Sequence, residues 1–246
     1  MAVLAMAWCC APVERDWRDE VIYFAMIDRL ANGNPSNDDQ GEGEWDPERE
    51  SHFHGGDLEG AVEVLEGIEA LGATAVWLTP PVHNQWWNPE RAYTGYHGYW
   101  ASDFEAVDAH YGTLDDWKSL ADALHDRGML LIQDVVVNHT GDWATTTDSG
   151  RVVRDRPRAD WLQPETGVYH EFGTIRNYSD SAQVLTHELA NLDDLRTESD
   201  SVRARLRAIY RWWIEEGGAD GFRFDTHKYV EPGFWPAFLE GEGEDV

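Results

Sequence analysis

The sequence predicts an α/β protein in which buried parallel strands alternate with covering helices. Three observations carry the prediction: four short apolar runs recur along the chain, amphipathic segments of helical period separate them, and glycines or prolines punctuate the joints. Runs that are apolar on both faces belong to parallel sheets, either doubly wound or part of an eightfold barrel. The pattern alone leaves those two architectures open.

Val21 to Phe24 reads as the first strand, and Asn32 to His54 after it is polar and turn-rich, with Gly33, Pro35, Gly41, Gly43 and Pro47. Leu58, Val62, Leu65 and Ile68 then recur at helical spacing up to the breaker Gly72, and Ala75 to Leu78 is a second strand, stopped by Pro80 and Pro81. Thr113 and Asp116 form an N-terminal capping pair for a helix with the apolar stripe Leu114, Trp117, Ala121 and Leu124, ended by Gly128. Met129 to Val137 is the third strand. Thr140 to Asp194 is too long for a simple connection and predicts a small excursion of its own. Val202, Leu206, Ile209 and Trp213 mark a further helix, closed by Gly217 and Gly218, and Gly221 to Phe224 is the fourth strand.

The 246 residues hold 47 acids against 19 Lys and Arg, a formal charge of −28, with 13 Trp, 9 Tyr and 8 Phe. That balance excludes a nucleic-acid binder, which needs a basic face, and the aromatic content excludes a disordered acidic chain. Acids dispersed along the whole chain fit a high-salt environment, where screening shortens self-repulsion; an ordinary acidic secreted protein is the alternative. Cys9 and Cys10 are adjacent and provide neither a disulfide framework nor metal-ligand spacing. Met1 to Cys10 is apolar but shorter than a membrane span and lacks a basic leader, leaving a frayed terminus, a trimmed export signal or a lipidated cysteine.

In either architecture reactive groups collect at the carboxyl ends of the strands. Asn138 and His139 follow the third strand, Arg223 and Asp225 close the fourth, and the aromatic stretch Tyr96 to Trp100 follows the second. Alternation puts Arg223 and Asp225 on one side, where a guanidinium favours the charged carboxylate that a nucleophile requires. A buried ion pair that merely holds the strand end is the bland reading. Tyr99 and Trp100, with Trp86 and Trp87, are taken singly core residues; together with polar neighbours they suit a sugar, whose apolar face stacks on rings. His52 and His54 read as solvated loop residues.

These segments carry a resemblance. Asp134-Val135-Val136-Val137-Asn138-His139 and Gly221-Phe222-Arg223-Phe224-Asp225-Thr226-His227-Lys228 resemble two signature regions of the α-amylase family of glycoside hydrolases, which includes the cyclodextrin glucanotransferases. Gly72 to Pro80 is similar to that family's second strand and Tyr96-His97-Gly98-Tyr99-Trp100 to its sugar-stacking segment. The resemblance implies the N-terminal half of a (β/α)8 TIM barrel with a small B domain inserted after the third strand. Its parts would be residues 1–139 (strands 1 to 3 with flanking helices), 140–194 (the insertion) and 195–246 (helix 3, strand 4 and the start of helix 4).

The resemblance further implies Asp225 as nucleophile of a retaining, double-displacement hydrolysis of α-glucans such as starch, with Arg223 orienting it. His97, Tyr99, Trp100 and His139 would bind the sugar at the cleavage point and Lys228 its neighbour, while Asp134 is more structural than chemical. Calcium is the implied ion. Asn138, Asn191 and the Tyr229 carbonyl match one site, although Asn191 stands where relatives carry Asp. Asn32, Asn34, Asn37 and Asp38 with Gly55 and Asp57 match a second; the competing reading there is an Asn-rich turn with Asp57 as a helix cap.

Retaining glycosidases need a second carboxyl, about 5 Å from the nucleophile. In the family it is a Glu after the fifth strand, and here Glu231, Glu240, Glu242 and Glu244 are too near Asp225 or in the Gly-Glu tail. The sequence therefore predicts a chain inactive by itself, in need of a C-terminal barrel half, with open sheet edges at its first and fourth strands. A glucanotransferase and a non-catalytic glucan-binding relative are the rivals; a nucleotide-binding protein lacks the Gly-rich phosphate loop. No membrane span is predicted, and a polymeric substrate predicts an extracellular protein.

Overall fold

The computed structural model describes residues 15–147 and 150–240, so Cys9, Cys10, the apolar start and the Glu242 and Glu244 tail lie outside the described residues. Four strands, β1 (Ile22–Ala25), β2 (Ala75–Leu78), β3 (Leu130–Val135) and β4 (Gly221–Phe224), form one sheet in the order β1-β2-β3-β4, parallel throughout. The sheet is open: β1 and β4 are its edges and no closed barrel forms among the described residues.

The register separates two faces. Phe24 lies opposite Trp77, Trp77 opposite Ile132, and Arg223 opposite Asp134, so these side chains share one face. The other face is covered by the helices α1 (Leu58–Glu63), α2 (Leu65–Ala70), α3 (Leu114–His125), α5 (Asp200–Glu215) and α6 (Phe234–Glu240) to differing degrees, while α4 (Ser181–Thr186), at the far end of the long excursion, packs against the turn His227–Tyr229. On the covered face Phe222 meets Tyr210 edge-on at 5.5 Å, and Phe224 meets Trp235 at 5.1 Å and Phe238 at 5.7 Å. Trp117 of α3 and Trp213 of α5, both fully buried, pack edge to face at 5.5 Å, joining the two long helices beneath the sheet.

Local chemistry explains most element ends. Thr113 and Asp116 form a reciprocal capping box at α3, and Asp57 caps α1 by accepting from the Gly60 N–H. The single helix expected over Leu58 to Ile68 is instead two short ones, with Val64 at ψ −5° between them. Gly60 and Gly67 weaken helix propagation, and α1 lies so close to the preceding loop that a Cβ on Gly60 would overlap the Ala31 carbonyl. The apolar stripe nevertheless continues across the break, since Leu58, Ala61, Leu65 and Ile68 are all buried. The ladder of β3 ends at Val135, opposite Phe224, although the buried run continues through Val136 and Val137.

The long segment after β1 is fastened by a buried imidazole. His110 Nδ1 lies 2.8 Å from Asp108 and Nε2 3.0 Å from Glu44, and Glu44 also accepts from the Gln40 and Glu42 N–H groups. Phe53 stacks on the His110 ring at 3.8 Å. His52 departs from the solvated expectation: it is 4% exposed, 3.0 Å from the Ser51 hydroxyl and beside Trp87. Among the described residues no helix is long and apolar enough to cross a membrane.

Burial opposes the charged form of His110, but the hydrogen bonds to Asp108 and Glu44 win and raise it to about 9 from 6.5. Because the folded state then holds the proton more tightly, this stabilisation is full below pH 6.5 and is lost as pH rises through about 9. Urea unfolding at pH 6.5 and at about pH 10 is expected to differ by roughly 3 kcal/mol through this group. His110→Gln should flatten that part of the profile.

Candidate active site

The open face of the sheet presents a carboxylate network at the carboxyl ends of β3 and β4. Asp134 is fully buried and accepts from the Trp77 indole at 2.9 Å, the Tyr99 hydroxyl at 2.9 Å and Arg223 Nη1 at 3.0 Å. The same Nη1 reaches Asp225 Oδ1 at 2.7 Å, and the Arg223 guanidinium stands over the Trp77 ring at 4.8 Å. Burial raises Asp134 to about 6, opposed by Arg223, Tyr99 and Trp77. Asp225 differs in access: its side chain is 27% exposed against 0% for Asp134, so one guanidinium holds a covered carboxylate and an open one.

The backbone aims Asp225 outward. Its N–H still donates to the Val135 carbonyl at 2.8 Å, and Thr226 then enters the left-handed region at φ +52° and turns the chain away. Lys228, exposed, follows in the short turn His227–Tyr229, with its ammonium 4.9 Å over the Tyr229 ring.

The aromatic stretch forms the second wall. His97 and Tyr99 stack at 5.6 Å, and the Tyr99 N–H donates to His97 Nδ1 at 3.0 Å. Gly98 between them has φ +85°, and a Cβ there would come within 2.3 Å of the Pro80 carbonyl, so no other residue fits. Trp100, 5% exposed, meets His97 edge-on at 4.9 Å and stands behind it as a support. His139 is 2% exposed, with a buried Nε2 that has no hydrogen-bond partner among the described residues. Burial, reinforced by His139, lowers His97 to about 3; burial lowers His139 to about 4 despite Asp225. Both rings are therefore neutral at pH 7 and offer hydrogen bonds without charge, while burial and the Asp134 charge keep the Tyr99 phenol protonated.

The family description "Alpha amylase, catalytic domain" matches residues 24–244, nearly the whole chain. The chain belongs to the alpha-amylase family. It is 37% identical over 227 residues to the beta/alpha-amylase of Paenibacillus polymyxa, covering 91% of this chain and 18% of that protein. It is 35% identical over 227 residues to the cyclomaltodextrin glucanotransferase of Klebsiella oxytoca, covering 89% and 34%. The crystal structure of an Anoxybacillus alpha-amylase superposes with a TM-score of 0.78 at 40% identity, covering 93% of this chain and 45% of that one. The alpha-amylase-family chain thus spans less than half the length of these relatives.

The calcium expectations separate. Among the described residues no group of three or more His, Cys, Asp or Glu side chains is placed to hold a metal. Asn138 is 2% exposed, but Asn191 lies on an exposed turn at φ +63°. The acid laddered beside Asn138 and His139 is Asp194, with Oδ2 2.7 Å from His170. Asn138, Asn191 and the Tyr229 carbonyl bring no charged oxygen of their own, so an ion held there would rest on neutral donors.

The N-terminal loop fits a cation better. Asp38 and Asp57 are both buried, and burial first and then the Asp57 charge raise Asp38. Asn37 Oδ1 is buried without a partner among the described residues, and Gly55, at φ +94°, packs against Asn32 and Asp38. Asn32 donates to both Asp38 oxygens, while Asp57 accepts from the Gly33, Asn34 and Gly60 N–H groups and Asn34 Oδ1 accepts from Ser36. The cap reading of Asp57 is therefore observed, and its neighbourhood still holds two repelling carboxylates and an unused oxygen.

Sequence reasoning missed Trp77, which donates to Asp134 and carries Arg223; its signal was a single indole in the otherwise aliphatic strand Ala75-Val76-Trp77-Leu78. Tyr99→Phe, which removes one of the hydrogen bonds to Asp134, should raise the Asp134 pKa beyond about 6, read by carboxyl NMR titration. It should cost about 1.5–3 kcal/mol at neutral pH and less at about pH 5, where Asp134 is protonated.

Proposed function

We propose that this chain carries the nucleophile side of an active site that cleaves α-linked glucans with retention of configuration. The observation that supports this most is the Arg223 guanidinium shared between covered Asp134 and open Asp225. Asp225 Oδ2 faces no guanidinium contact and is the oxygen that attacks the anomeric carbon, forming a glycosyl ester. His97, Tyr99 and His139 bind the sugar at that point through neutral hydrogen-bonding groups and a stacked ring, and Lys228 meets the adjoining sugar.

The leaving oxygen needs a proton from a second carboxyl about 5 Å away. Asp134 is unsuited to that role despite its raised pKa, because its side chain is 0% exposed and covered by its donors. The acid therefore comes from polypeptide additional to these residues, completing a (β/α)8 barrel against the open edges β1 and β4. Residues 140–194 act as the inserted B domain. Transfer to another sugar instead of water is the second reading, favoured by the similarity to a glucanotransferase and by the N-terminal loop. A polymeric substrate places the work outside the cell, and a charge of −28 suits concentrated salt.

The 246-residue chain is expected to release no maltooligosaccharide from starch. A polypeptide continued through a C-terminal barrel half should do so, and Asp225→Asn should lower its turnover on the order of 10⁴-fold or more. Asp225-dependent hydrolysis by the 246-residue chain itself would overturn the external acid.

At the N-terminal loop, Asp38, Asp57, Asn32, Asn37 and the Gly55 carbonyl would hold calcium, which supplies charge neutralisation between the two carboxylates. Calcium at 100 times its dissociation constant should then add about 2.7 kcal/mol to unfolding, read as a higher urea midpoint than in chelator. Asp38→Ala should abolish the difference.

A further inference from the structure

Three Asn-x-Ser/Thr tripeptides occur in the sequence: Asn34-Pro35-Ser36, Asn138-His139-Thr140 and Asn177-Tyr178-Ser179. Such a tripeptide accepts an N-linked oligosaccharide only where the asparagine stands on the surface and the middle residue is not proline. The structure separates the three.

Pro35 excludes the first, and Asn34 Nδ2 is in any case engaged by Glu59 at 2.9 Å. Asn138 is 2% exposed and lies against His139, and the Thr140 hydroxyl is buried and donates to the Gly141 carbonyl at 3.2 Å. An enzyme can reach neither group. Asn177 is different. It stands on an exposed turn just before α4, between exposed Arg176 and Tyr178, with exposed Ser179 following.

The backbone of this turn is fixed while its reactive groups are free. The Arg176 and Asn177 N–H groups donate to Gln183 Oε1 at 3.0 and 3.1 Å, and the Asn177 carbonyl accepts from the Asp180 N–H at 3.1 Å. The Ser179 N–H donates to Asn177 Oδ1 at 3.0 Å, which sets the plane of the carboxamide. Neither Asn177 Nδ2 nor the Ser179 hydroxyl has a hydrogen-bond partner among the described residues. A turn of this kind needs only the oxygen of its asparagine. Here it also presents an unused amide nitrogen and, two residues on, an unused hydroxyl on the same open surface.

We propose that Asn177 is an N-glycosylation site, whose Nδ2 accepts an oligosaccharide from a lipid-linked oligosaccharyl phosphate as the chain is exported; the compartment rests on the extracellular reading above. In the transfer Nδ2 forms a C–N bond to the anomeric carbon of the donor. The C–O bond to the phosphate breaks, the lipid phosphate leaves with that electron pair, and Nδ2 gives up one proton. Tyr178 and Ser179 also line a cleft of about 430 Å³ that reaches His227 and Lys228. A glycan on Asn177 therefore stands at the rim of that cleft and outside the Asp225 network.

The test mixes the 246-residue chain with solubilised membranes that contain an oligosaccharyl transferase and its lipid-linked oligosaccharide, and reads the intact mass and the Asn177 peptide by mass spectrometry. One oligosaccharide per chain, on Asn177, is expected. Asn177→Gln and Ser179→Ala should lose it, Ser179→Thr should keep it, and the peptide carrying Asn138 should stay unmodified. Modification of Ser179→Thr but not of Ser179→Ala separates lost recognition from a lost fold. An unmodified wild-type chain beside a modified Asn-Tyr-Thr control peptide overturns the site, and so does a mass increase that persists in Asn177→Gln. Because the assay needs no export, its failure bears on the acceptor alone, whereas a chain that its own cells retain overturns the extracellular reading instead.

Discussion

A carboxylate with no access to water is tolerable only when its lone pairs are taken by donors, and the Asp134 site is built around that requirement. The indole of Trp77 comes from β2, the phenol of Tyr99 from the loop after it, and the guanidinium of Arg223 from β4. Each donor is thereby fixed in place by the same acceptor. Burying an ion costs several kcal/mol unless such bonds are made. The register that sets Arg223 opposite Asp134, and the Gly98 turn that brings Tyr99 over them, are thus parts of one arrangement.

The same logic recurs one layer out. His110 between Asp108 and Glu44 is a buried ion between two buried acids, and the loop that carries Glu44 closes over it. The Asp134 network ties the loop after β2 to the strands, and the His110 network ties the segment after β1 to the segment after β2. The opposite side relies chiefly on apolar packing, through the Trp117 and Trp213 pair and the aromatic cluster of α5 and α6 around Phe222 and Phe224, with the Trp213 indole and Tyr210 hydroxyl donating to the Phe104 and Val136 carbonyls. The chain divides its chemistry accordingly: polar satisfaction at the strand ends, hydrophobic burial beneath the sheet.

Much of this was legible in the sequence because it depends on local rules. Period-two alternation put Arg223 and Asp225 on one side, apolar runs located the four strands of the parallel sheet, and Thr113 with Asp116 announced the start of α3. What was not legible depends on contacts between distant segments. His52 reads as a polar loop residue until Trp87 and Ser51 are seen to enclose it. The break at Val64 follows from the close approach of Ala31 to Gly60, which no helical periodicity records. Asn191 and Asn138 read alike as polar residues beside apolar runs, yet a left-handed turn leaves Asn191 on the surface while Asn138 is buried just past the end of β3. Trp77 looked like strand filling because an indole is apolar in every respect except its one N–H, and that N–H is what the site uses.

Asp134 and Asp225 touch the same nitrogen of the same guanidinium, so contact with Arg223 does not distinguish their roles. Exposure does. Burial raises Asp134 to about 6 and closes it off, whereas the turn at Thr226 leaves Asp225 part-open to whatever stands over the sheet. A carboxylate that cannot be reached can orient its neighbours but cannot form a bond to carbon, and a carboxylate that can be reached needs a fixed partner to hold its aim. Arg223 provides that aim because Asp134 and Trp77 fix the guanidinium from behind. The open acid is therefore positioned by the closed one, which gives the buried network a chemical consequence as well as a structural one.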